Sequence, residues 1–345
     1  MSSKQHLAAI LTAAGTPLTL VQRPTPAPGP DELLIEVKSI ALNPIDWKQR
    51  DSGFMIANWP TVLGSDIAGT VISAGSSVPD DAPKPGSRVT AFAPCFYTKG
   101  KPDYGALQTR VLVPAANALE IPQGMSFNEA SLLPMAVSTA WAGWYSIGLP
   151  FDTSYKESDK KGVLIWGGAS CVGSATIQTA KLMGFKVYTT ASEKNHDYVK
   201  SLGADRVFDY ESENVVAKIV DAVKADGVTV EIGYDAVGDL ASAQAVLKQL
   251  NGTKTARLAS APPLTPASPT TEGVESKFVM APLDPKELQE FFHTVFNGWL
   301  KGKIETGEFV PSPRIRVIDG ALASVNKALD ILKQGVSGEK LVLEV

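Results

Sequence analysis

The sequence predicts an α/β protein with two domains, one rich in β-strands and one built on a doubly wound parallel sheet. The chain has 345 residues, which is long for a single hydrophobic core. Up to about residue 125, short strand-like runs are separated by Pro and Gly. After Asp159, apolar strand-like runs alternate with helical periodicity, and this β-α-β-α-β order indicates a parallel sheet.

Hydrophobic periodicity places the individual elements. In the first part of the chain, strands are predicted at 33–38, 67–72 and 88–92. The parallel sheet is predicted from strands at 162–166, 186–191, 206–208 and 228–234, with helices at 172–183, 197–202 and 215–223. Other helices are expected over 128–146, over 285–301 and within 315–332, with a surface loop over 261–273. The final run, 340–345, reads as a strand that returns to the first domain, because its partners are otherwise missing.

Composition excludes several classes of function. The formal net charge is −4 and no basic run occurs, so a nucleic-acid or anionic-membrane surface is not expected. The N-terminus does not resemble a signal peptide, and no run of 18 apolar residues suggests a membrane span. Cys95 and Cys171 are the only cysteines, which favours a reducing compartment, and we expect a cytoplasmic protein.

The stretch 163–173 reads Val-Leu-Ile-Trp-Gly-Gly-Ala-Ser-Cys-Val-Gly and carries the strongest chemical signal. An apolar strand runs into a Gly-rich turn, and a helix opens at once. Such a turn lets a pyrophosphate approach the backbone and the helix N-terminus. Gly168 and Gly173 match the first and last glycines of G-x-G-x-x-G, whereas Ser170 replaces the middle one. The alternative is a turn that only packs a helix on a strand.

The end of the next strand selects the cofactor. Sites for NAD usually place an acid there to bind the ribose hydroxyls. Here Thr190 and Ala191 are neutral, and Ser192 and Lys194 could bond a 2′-phosphate. We therefore expect NADPH rather than NADH. Glu193 is the counter-argument, because it could bind the ribose instead of lying in solvent.

These motifs, together with Asn43-Pro44-Ile45-Asp46 and the run 64–71, Gly-Ser-Asp-Ile-Ala-Gly-Thr-Val, make the chain resemble the medium-chain dehydrogenase/reductase superfamily over essentially its whole length. It is most similar to the zinc-free quinone oxidoreductase and enoyl reductase branch, and within it to fungal trans-acting enoyl reductases that partner polyketide synthases. The resemblance implies a GroES-like, partly open β-barrel domain (1–125 and 303–345), a Rossmann domain (126–302) and an active site in the cleft between them. It leaves open a monomer or a homodimer, and a free small molecule or a synthase-bound acyl chain as substrate.

The sequence departs from the zinc-dependent members of the superfamily. Those members carry Cys at the position of Asn43 and Gly-His-Glu where this chain has Gly64-Ser65-Asp66. They often also carry a four-cysteine lobe near residue 100, where this chain has only Cys95. Two cysteines and three scattered histidines do not form a plausible tetrahedral ligand set, so we expect no metal.

The resemblance also assigns site residues. The cofactor residues it implies are Ile45, Asp46, Trp47, Lys48, Ser170, Cys171, Val172, Gly173, Ser192, Glu193, Lys194, Asn195, Tyr210, Leu258, Ala259, Val336 and Ser337. The substrate residues it implies are Thr139, Ala140, Trp141, Val279, Met280 and Ala281. A core position is the alternative for Trp141. Cys171 is interpreted as a small packing residue beside the turn rather than as a nucleophile.

Two side chains are candidates for the chemistry. Hydride addition to an activated alkene places negative charge on a carbonyl oxygen, which hydrogen-bond donors must stabilise. Lys48 is the first candidate for donor or proton source, and a surface lysine is its alternative. Thr139 is the second candidate, and a helical Thr bonded to its own backbone is its alternative. Asp46 would orient a ribose hydroxyl or a lysine, or cap a turn, whereas Tyr97 and Tyr104 carry no specific signal.

The leading functional interpretation is an NADPH-dependent enoyl or quinone reductase. An NADPH-dependent aldehyde or ketone reductase on the same scaffold is the second. A cofactor-binding protein with little turnover, retained as a structural or interaction partner, is the third. The intact pyrophosphate turn and Lys48 favour the first two.

Overall fold

The computed structural model of the protein describes residues 5–345. The strands, in chain order, are β1 (Gln5–Leu11), β2 (Thr19–Pro24), β3 (Glu32–Ala41), β4 (Thr61–Val62), β5 (Asp66–Ala74), β6 (Arg88–Phe92), β7 (Arg110–Pro114), β8 (Ala118–Glu120), β9 (Lys161–Trp166), β10 (Lys186–Thr190), β11 (Arg206–Phe208), β12 (Thr229–Asp235), β13 (Ala256–Ser260), β14 (Val274–Phe278), β15 (Arg314–Val317) and β16 (Glu339–Glu344).

The α-helices are α1 (Pro44–Ser52), α2 (Phe127–Ser131), α3 (Leu133–Ser146), α4 (Cys171–Leu182), α5 (His196–Ser201), α6 (Val215–Asp226), α7 (Leu240–Leu250), α8 (Pro285–His293), α9 (Lys301–Glu305) and α10 (Val325–Gln334). Short 3₁₀ segments occur at Pro102–Tyr104, Ala115–Asn117, Glu157–Asp159, Glu193–Asn195 and Ala321–Ser324, and a π-helical segment at Thr294–Leu300. None of the helices within residues 5–345 has the length and apolar character that a membrane span requires.

The chain divides into two compact units. Unit 1 comprises the residues up to Met135 together with Asp284–Val345, and unit 2 comprises Ala136–Leu283. This division places residues 284–302 in the β-rich unit rather than with the parallel sheet to which the sequence assigned them. The reason is packing, because the Phe292 ring of α8 stacks on Phe92 of β6 with ring centroids 5.0 Å apart.

Unit 1 is organised around β3. This strand pairs antiparallel with β5 along its length, and with β7 and β16 at its two ends. The larger sheet follows the order β15-β16-β3-β5-β6-β8, and a smaller sheet follows β2-β1-β4. The helix α10 places residues at i, i+3, i+4 and i+7 into the same core, namely Val325, Ala328, Leu329 and Leu332. The pairing of β16 with β3 confirms the expected return of the final strand to the first domain.

Unit 2 is a parallel sheet with the order β11-β10-β9-β12-β13-β14. Its central strand β9 is buried continuously from Val163 to Trp166, as expected for a strand covered on both faces. Apolar residues of α6 and α7, such as Ile219 and Leu247, join Leu164 in one core cluster. The doubly wound α/β sheet that the sequence predicted is therefore confirmed.

Several elements differ from the sequence prediction. The helix expected over 128–146 breaks at Leu132, because Pro134 has no N–H to continue it from α2 and instead lies in the first turn of α3. The helix expected over 285–301 passes through the π-helical segment, in which Val295, Phe296 and Leu300 are buried. The segment 315–332 holds a strand before its helix, since β15 precedes α10.

Candidate functional site

The turn after β9 is built tightly around Ser170. This residue caps the N-terminus of α4: its Oγ accepts a hydrogen bond from the Gly173 N–H at 3.0 Å and donates one to the Gly167 carbonyl at 2.8 Å. Gly167 has a φ of +85°, which favours glycine. A Cβ on Gly173 would lie 2.2 Å from the Gly167 carbonyl oxygen, so only glycine lets the helix approach the turn this closely.

The turn is also hydrogen-bonded to the neighbouring strand β10. It lies at the carboxyl edge of the parallel sheet, where such sheets bind their ligands. Gly167 and Gly168 donate their N–H groups to the Thr190 Oγ1 and carbonyl oxygen, both at 2.9 Å. The chain leaves β9 for β10 on one side, whereas β12 lies on the other, so α4 begins at a topological switch point. The first-turn N–H groups of a helix lack intrahelical acceptors and favour an anion. Ser170, Cys171, Val172 and Gly173 form this helix start, which suits a dinucleotide pyrophosphate, although the Gly173 N–H is already donated to Ser170 Oγ.

The ends of β10 and β11 bring the expected adenosine-side residues to one edge. The Ala191 N–H bonds the Phe208 carbonyl at 3.0 Å, which holds the two strand ends together. Ser192 is half-buried and accepts a hydrogen bond at 2.9 Å from the Nδ2 of Asn195, whose side chain is buried. The exposed residues beside them are Glu193, Lys194 and Tyr210.

A segment that the sequence analysis missed follows β12 at the same edge. Asp235 is buried, and its Oδ1 accepts hydrogen bonds from the N–H groups of Val237 at 3.1 Å and Gly238 at 2.8 Å. Burial raises the pKa of Asp235, although these backbone hydrogen bonds lower it. Val237 is 52% exposed, and its Cγ1 would lie 2.5 Å from a Cβ on Gly167, so its side chain packs against the turn. The signal was present as Asp-Ala-Val-Gly directly after an apolar strand.

Two further groups of expected cofactor and substrate residues, at 258–259 and 279–281, lie in unit 2 and differ in burial. Leu258 and Ala259 lie inside β13 and are fully buried, so the strand reaches its carboxyl edge only at Ser260. The segment 279–281 follows β14 and is tied to the end of the neighbouring strand β13, since the Val279 N–H donates to the Ser260 carbonyl at 2.9 Å. Val279 and Ala281 are buried, whereas Met280 is half-buried.

Of the substrate residues expected on α3, two are packed in the interior and one has a hydroxyl that could bind a ligand. Ala140 and Trp141 are buried, and the Trp141 ring stacks on Phe151 with centroids 4.4 Å apart, which supports a core position. Thr139 is half-buried, and its carbonyl accepts a hydrogen bond from the Tyr234 hydroxyl at 2.8 Å. Its own hydroxyl makes no hydrogen bond to residues 5–345. By contrast, Thr176 of α4 bonds its own helix at 2.8 Å, which is the alternative that had been considered for Thr139.

In unit 1, the expected nicotinamide segment forms the first turns of α1. Asn43 is the N-cap, and its N–H bonds Asp46 Oδ2 at 2.8 Å. Ile45, Trp47 and Lys48 are half-buried. The Lys48 Nζ lies 5.7 Å from the centre of the Trp47 ring and forms no ion pair with a carboxylate in residues 5–345. Lys48 is therefore a cation available to a ligand.

Buried charges surround the start of α1. Lys340 Nζ donates to Asn43 Oδ1 at 2.6 Å and lies 3.3 Å from Asp66 Oδ2. Burial raises the pKa of Asp66, although Lys340 lowers it. Burial also raises the pKa of Asp46 to about 7. Its Oδ1 is buried and accepts no hydrogen bond from residues 5–345. The strand that holds Lys340 follows Val336 and Ser337.

The remaining candidates have structural partners. The Tyr104 hydroxyl donates to Glu32 at 2.7 Å, and Tyr97 packs beside Phe92 and Phe96. Burial raises the pKa of both tyrosines, which makes them poor proton donors at neutral pH. Throughout the part of the chain that the structure describes, no three His, Cys, Asp or Glu residues are grouped so that they could hold a metal ion.

Comparison with known proteins places the chain in a family. Residues 29–123 match the family described as alcohol dehydrogenase GroES-like domain, and residues 171–261 match the family described as zinc-binding dehydrogenase. The trans-enoyl reductase tndF of Aspergillus flavipes is 46% identical over 343 residues, covering 99% of each chain. The chain belongs to the medium-chain dehydrogenase/reductase superfamily. The trans-enoyl reductase tazE of Aspergillus terreus is 47% identical over 283 residues, covering 81% of this chain and 93% of that one.

Solved structures of the superfamily share the fold. The quinone oxidoreductase of Coxiella burnetii superposes with a TM-score of 0.72 at 28% identity, covering 99% of this chain and 100% of that one. The enoyl reductase CurK superposes with a TM-score of 0.75 at 18% identity, covering 99% of each chain, which shows the fold alone. This medium-chain dehydrogenase/reductase is therefore a GroES-like unit joined to a Rossmann unit, and an oxidoreductase that uses a nicotinamide cofactor.

Proposed function

We propose that the protein is an NADPH-dependent enoyl reductase that acts on an activated C=C bond, in an enoyl thioester carried by a polyketide synthase. The observation that carries the proposal is the Ser170-capped turn at the switch point of the sheet, whose close helix approach only Gly173 permits. The two relatives that are 46% and 47% identical are named trans-enoyl reductases, which supports the enoyl substrate over a quinone or an aldehyde.

NADPH is the cofactor that the adenosine-side edge favours. Ser192 is held in place by the buried Asn195, and Lys194 is exposed beside it. We propose that Ser192 and Lys194 bind the 2′-phosphate and that Tyr210 packs on the adenosine. Glu193 is exposed, and we propose that it lies in solvent rather than binding the ribose. The bound cofactor would supply a hydride to the β-carbon of the enoyl group.

The protein's own contribution to the chemistry is stabilisation of the resulting oxyanion. Lys48 is half-buried as a residue, and its ammonium has no carboxylate partner in residues 5–345, so its charge is available to the carbonyl oxygen. The Thr139 hydroxyl is likewise without a hydrogen bond to those residues. We propose that each donates a hydrogen bond to the developing negative charge, and that Lys48 or water delivers the proton to the α-carbon.

A substrate panel tests the activity. NADPH oxidation is followed at 340 nm with acyl thioesters, enones, quinones and aldehydes. Turnover of enoyl thioesters above all others supports the proposal. Faster turnover of aldehydes would identify a carbonyl reductase instead. Tight NADPH binding without turnover of any panel member would identify the protein as a cofactor-binding protein with little turnover.

Two substitutions test the assigned roles. Lys48→Ala should lower the single-turnover rate by about 1–3 kcal/mol in the barrier and change NADPH binding little. Thr139→Val should cost less, because water can substitute. Lys333→Ala is the matched control, because the Lys333 Nζ lies the same 5.7 Å from the Trp47 ring but is not assigned a chemical role. A wild-type rate for Lys48→Ala on every accepted substrate would show that Lys48 is a surface lysine.

A further inference from the structure

A buried ion pair lies beside the start of α1. Lys340 is 3% exposed and Asp66 is fully buried. The Lys340 Nζ lies 3.3 Å from Asp66 Oδ2, and Asn43 bridges the pair: its Oδ1 accepts from Lys340 at 2.6 Å, and its Nδ2 donates to Asp66 at 2.8 Å. Three side chains from three separate segments thus form one closed network.

The network connects the segments that carry the proposed chemistry. Lys340 belongs to β16, Asp66 to β5, and Asn43 is the N-cap of α1. The second oxygen of Asp66, Oδ1, accepts the N–H of Met135 at 2.6 Å, in the first turn of α3. Lys48 lies five residues after Asn43 in the helix that this network caps.

Stability alone does not account for these charges. Removing a carboxylate and an ammonium from water is costly, and a well-packed apolar pair of similar volume is often as stable or more stable. What an apolar pair cannot do is fix a backbone by directed hydrogen bonds. Asp66 receives one such bond from the Asn43 side chain and one from the Met135 backbone, so its position sets the start of two helices.

We propose that Asp66 and Lys340 are positioning residues for the reduction: their bridged pair fixes the cap of α1 and thereby holds Lys48 where it meets the substrate oxyanion. The inference rests on the proposed function for the role of Lys48. It also makes a structural claim that does not depend on that role: the pair holds the first turn of α1 in place.

The test uses the full-length chain, four variants of the pair and one control variant. Lys340→Met and Asp66→Asn each leave one buried group without its partner. The double variant Asp66→Asn/Lys340→Met removes both charges, and Lys340→Arg keeps the charge. Lys38→Met is the control, because Lys38 forms an ion pair with Glu36 at 2.7 Å in the same unit but is 40% exposed. Each variant is measured for unfolding midpoint, NADPH affinity and single-turnover rate, with hydrogen exchange recorded over residues 44–52.

The expected pattern separates positioning from stability. Both single variants should lose stability and at least tenfold in rate. The double variant should recover most of the unfolding midpoint yet remain at least tenfold slow, with faster exchange over residues 44–52. Lys340→Arg should recover part of the rate, and the control should match the wild type. A double variant that regains the wild-type rate and exchange would overturn the proposal. If the wild type reduces no panel substrate, the proposed function fails, and exchange over residues 44–52 alone decides whether the pair positions α1.

Discussion

The hydroxyl of Tyr234 donates a hydrogen bond to the backbone carbonyl of Thr139 at 2.8 Å, and so ties β12 to the helix that carries the proposed donor. Tyr234 is fully buried, so its hydroxyl has no water to replace this bond. Tyr234→Phe should lower the free energy of unfolding by about 1 kcal/mol, measured by denaturant titration. Tyr155→Phe is the control, because the Tyr155 hydroxyl makes no hydrogen bond to residues 5–345. Equal stability of the two variants would show that the Tyr234 bond contributes nothing.

The same contact explains a glycine in the middle of α3. A Cβ on Gly143 would lie 2.1 Å from a ring carbon of Tyr234, so Gly143→Ala should destabilise the protein by about 1–3 kcal/mol through overpacking. Gly302→Ala is the matched control, since a Cβ there meets nothing within 4 Å. In α9 that change should instead stabilise by about 0.5–1 kcal/mol. Thermal unfolding of both variants measures the difference, and a neutral Gly143→Ala would contradict the close approach.

The buried Asp46 should make stability depend on pH. Burial raises its pKa to about 7, against the opposing effect of the Asn43 N–H bond, with Asp66 raising the pKa further and Lys340 lowering it. Between about pH 4 and pH 7 the unfolded chain loses this proton while the folded chain keeps it. The free energy of unfolding should therefore fall across that range by about 4 kcal/mol from this group.

Asp46→Asn isolates that contribution. Its side-chain oxygen still accepts the Asn43 N–H but cannot ionise, so the wild type should lose stability relative to the variant as the pH rises from 4 to 8. Denaturant titrations of both proteins at matched pH values give the difference. A difference that stays constant over this range would mean that Asp46 has an ordinary pKa in the folded protein.

We predict that cofactor preference depends on the edge formed by β10 and β11. NADPH should bind at least roughly tenfold more tightly than NADH, a difference of about 1.4 kcal/mol. Lys194→Ala should weaken NADPH and leave NADH almost unchanged, because only the 2′-phosphate would contact this ammonium. Lys200→Ala is a control on the following helix, where Lys200 lies near Asp197. Fluorescence titration measures all four affinities, and an equal loss for both cofactors would place the phosphate elsewhere.

Metal content is a separate prediction. Purified protein should contain no stoichiometric zinc, and a chelator should leave the reductase activity unchanged, because Asn43 and Ser65 stand where zinc-dependent members carry Cys and His. Elemental analysis and an activity assay after chelation test this. About one zinc per chain, with activity lost on its removal, would overturn it.

Local patterns predicted the nucleotide-binding unit well. The strand expected at 206–208 is β11, and the helix expected at 172–183 is α4 to within one residue. Both follow from apolar periodicity in sequence neighbours, which needs no knowledge of the rest of the chain. The Ser170 turn was visible for the same reason, since all of its hydrogen bonds join residues within a few positions or reach the adjacent strand.

Unit 1 was harder to predict because its signals are weak or distant. The helix α1 buries Asp46, Gln49 and Arg50 rather than apolar residues, so it shows no hydrophobic stripe. The strand β2 is largely exposed and likewise lacks an alternating pattern. The network around Asp66 joins residues up to 297 positions apart. Each member reads as an unremarkable polar residue in the sequence, and only the fold brings the members together.

The late position of β16 has a consequence for how the protein is made. Ala41 of β3 pairs with Val342 of β16, which is 301 residues later (342 − 41), whereas the parallel sheet is complete at Phe278. At typical rates of synthesis, the 66 residues from there to the end of β16 (344 − 278) take roughly 3–13 s to add. During that interval the nucleotide-binding unit can fold, while β3 presents an unpaired edge and Asp66 has no counter-ion. Residues 39–41 of β3 and the Asp66 carboxylate therefore obtain their partners only once β16 has been synthesised, so unit 1 completes its sheet after the parallel sheet of unit 2 is already in place.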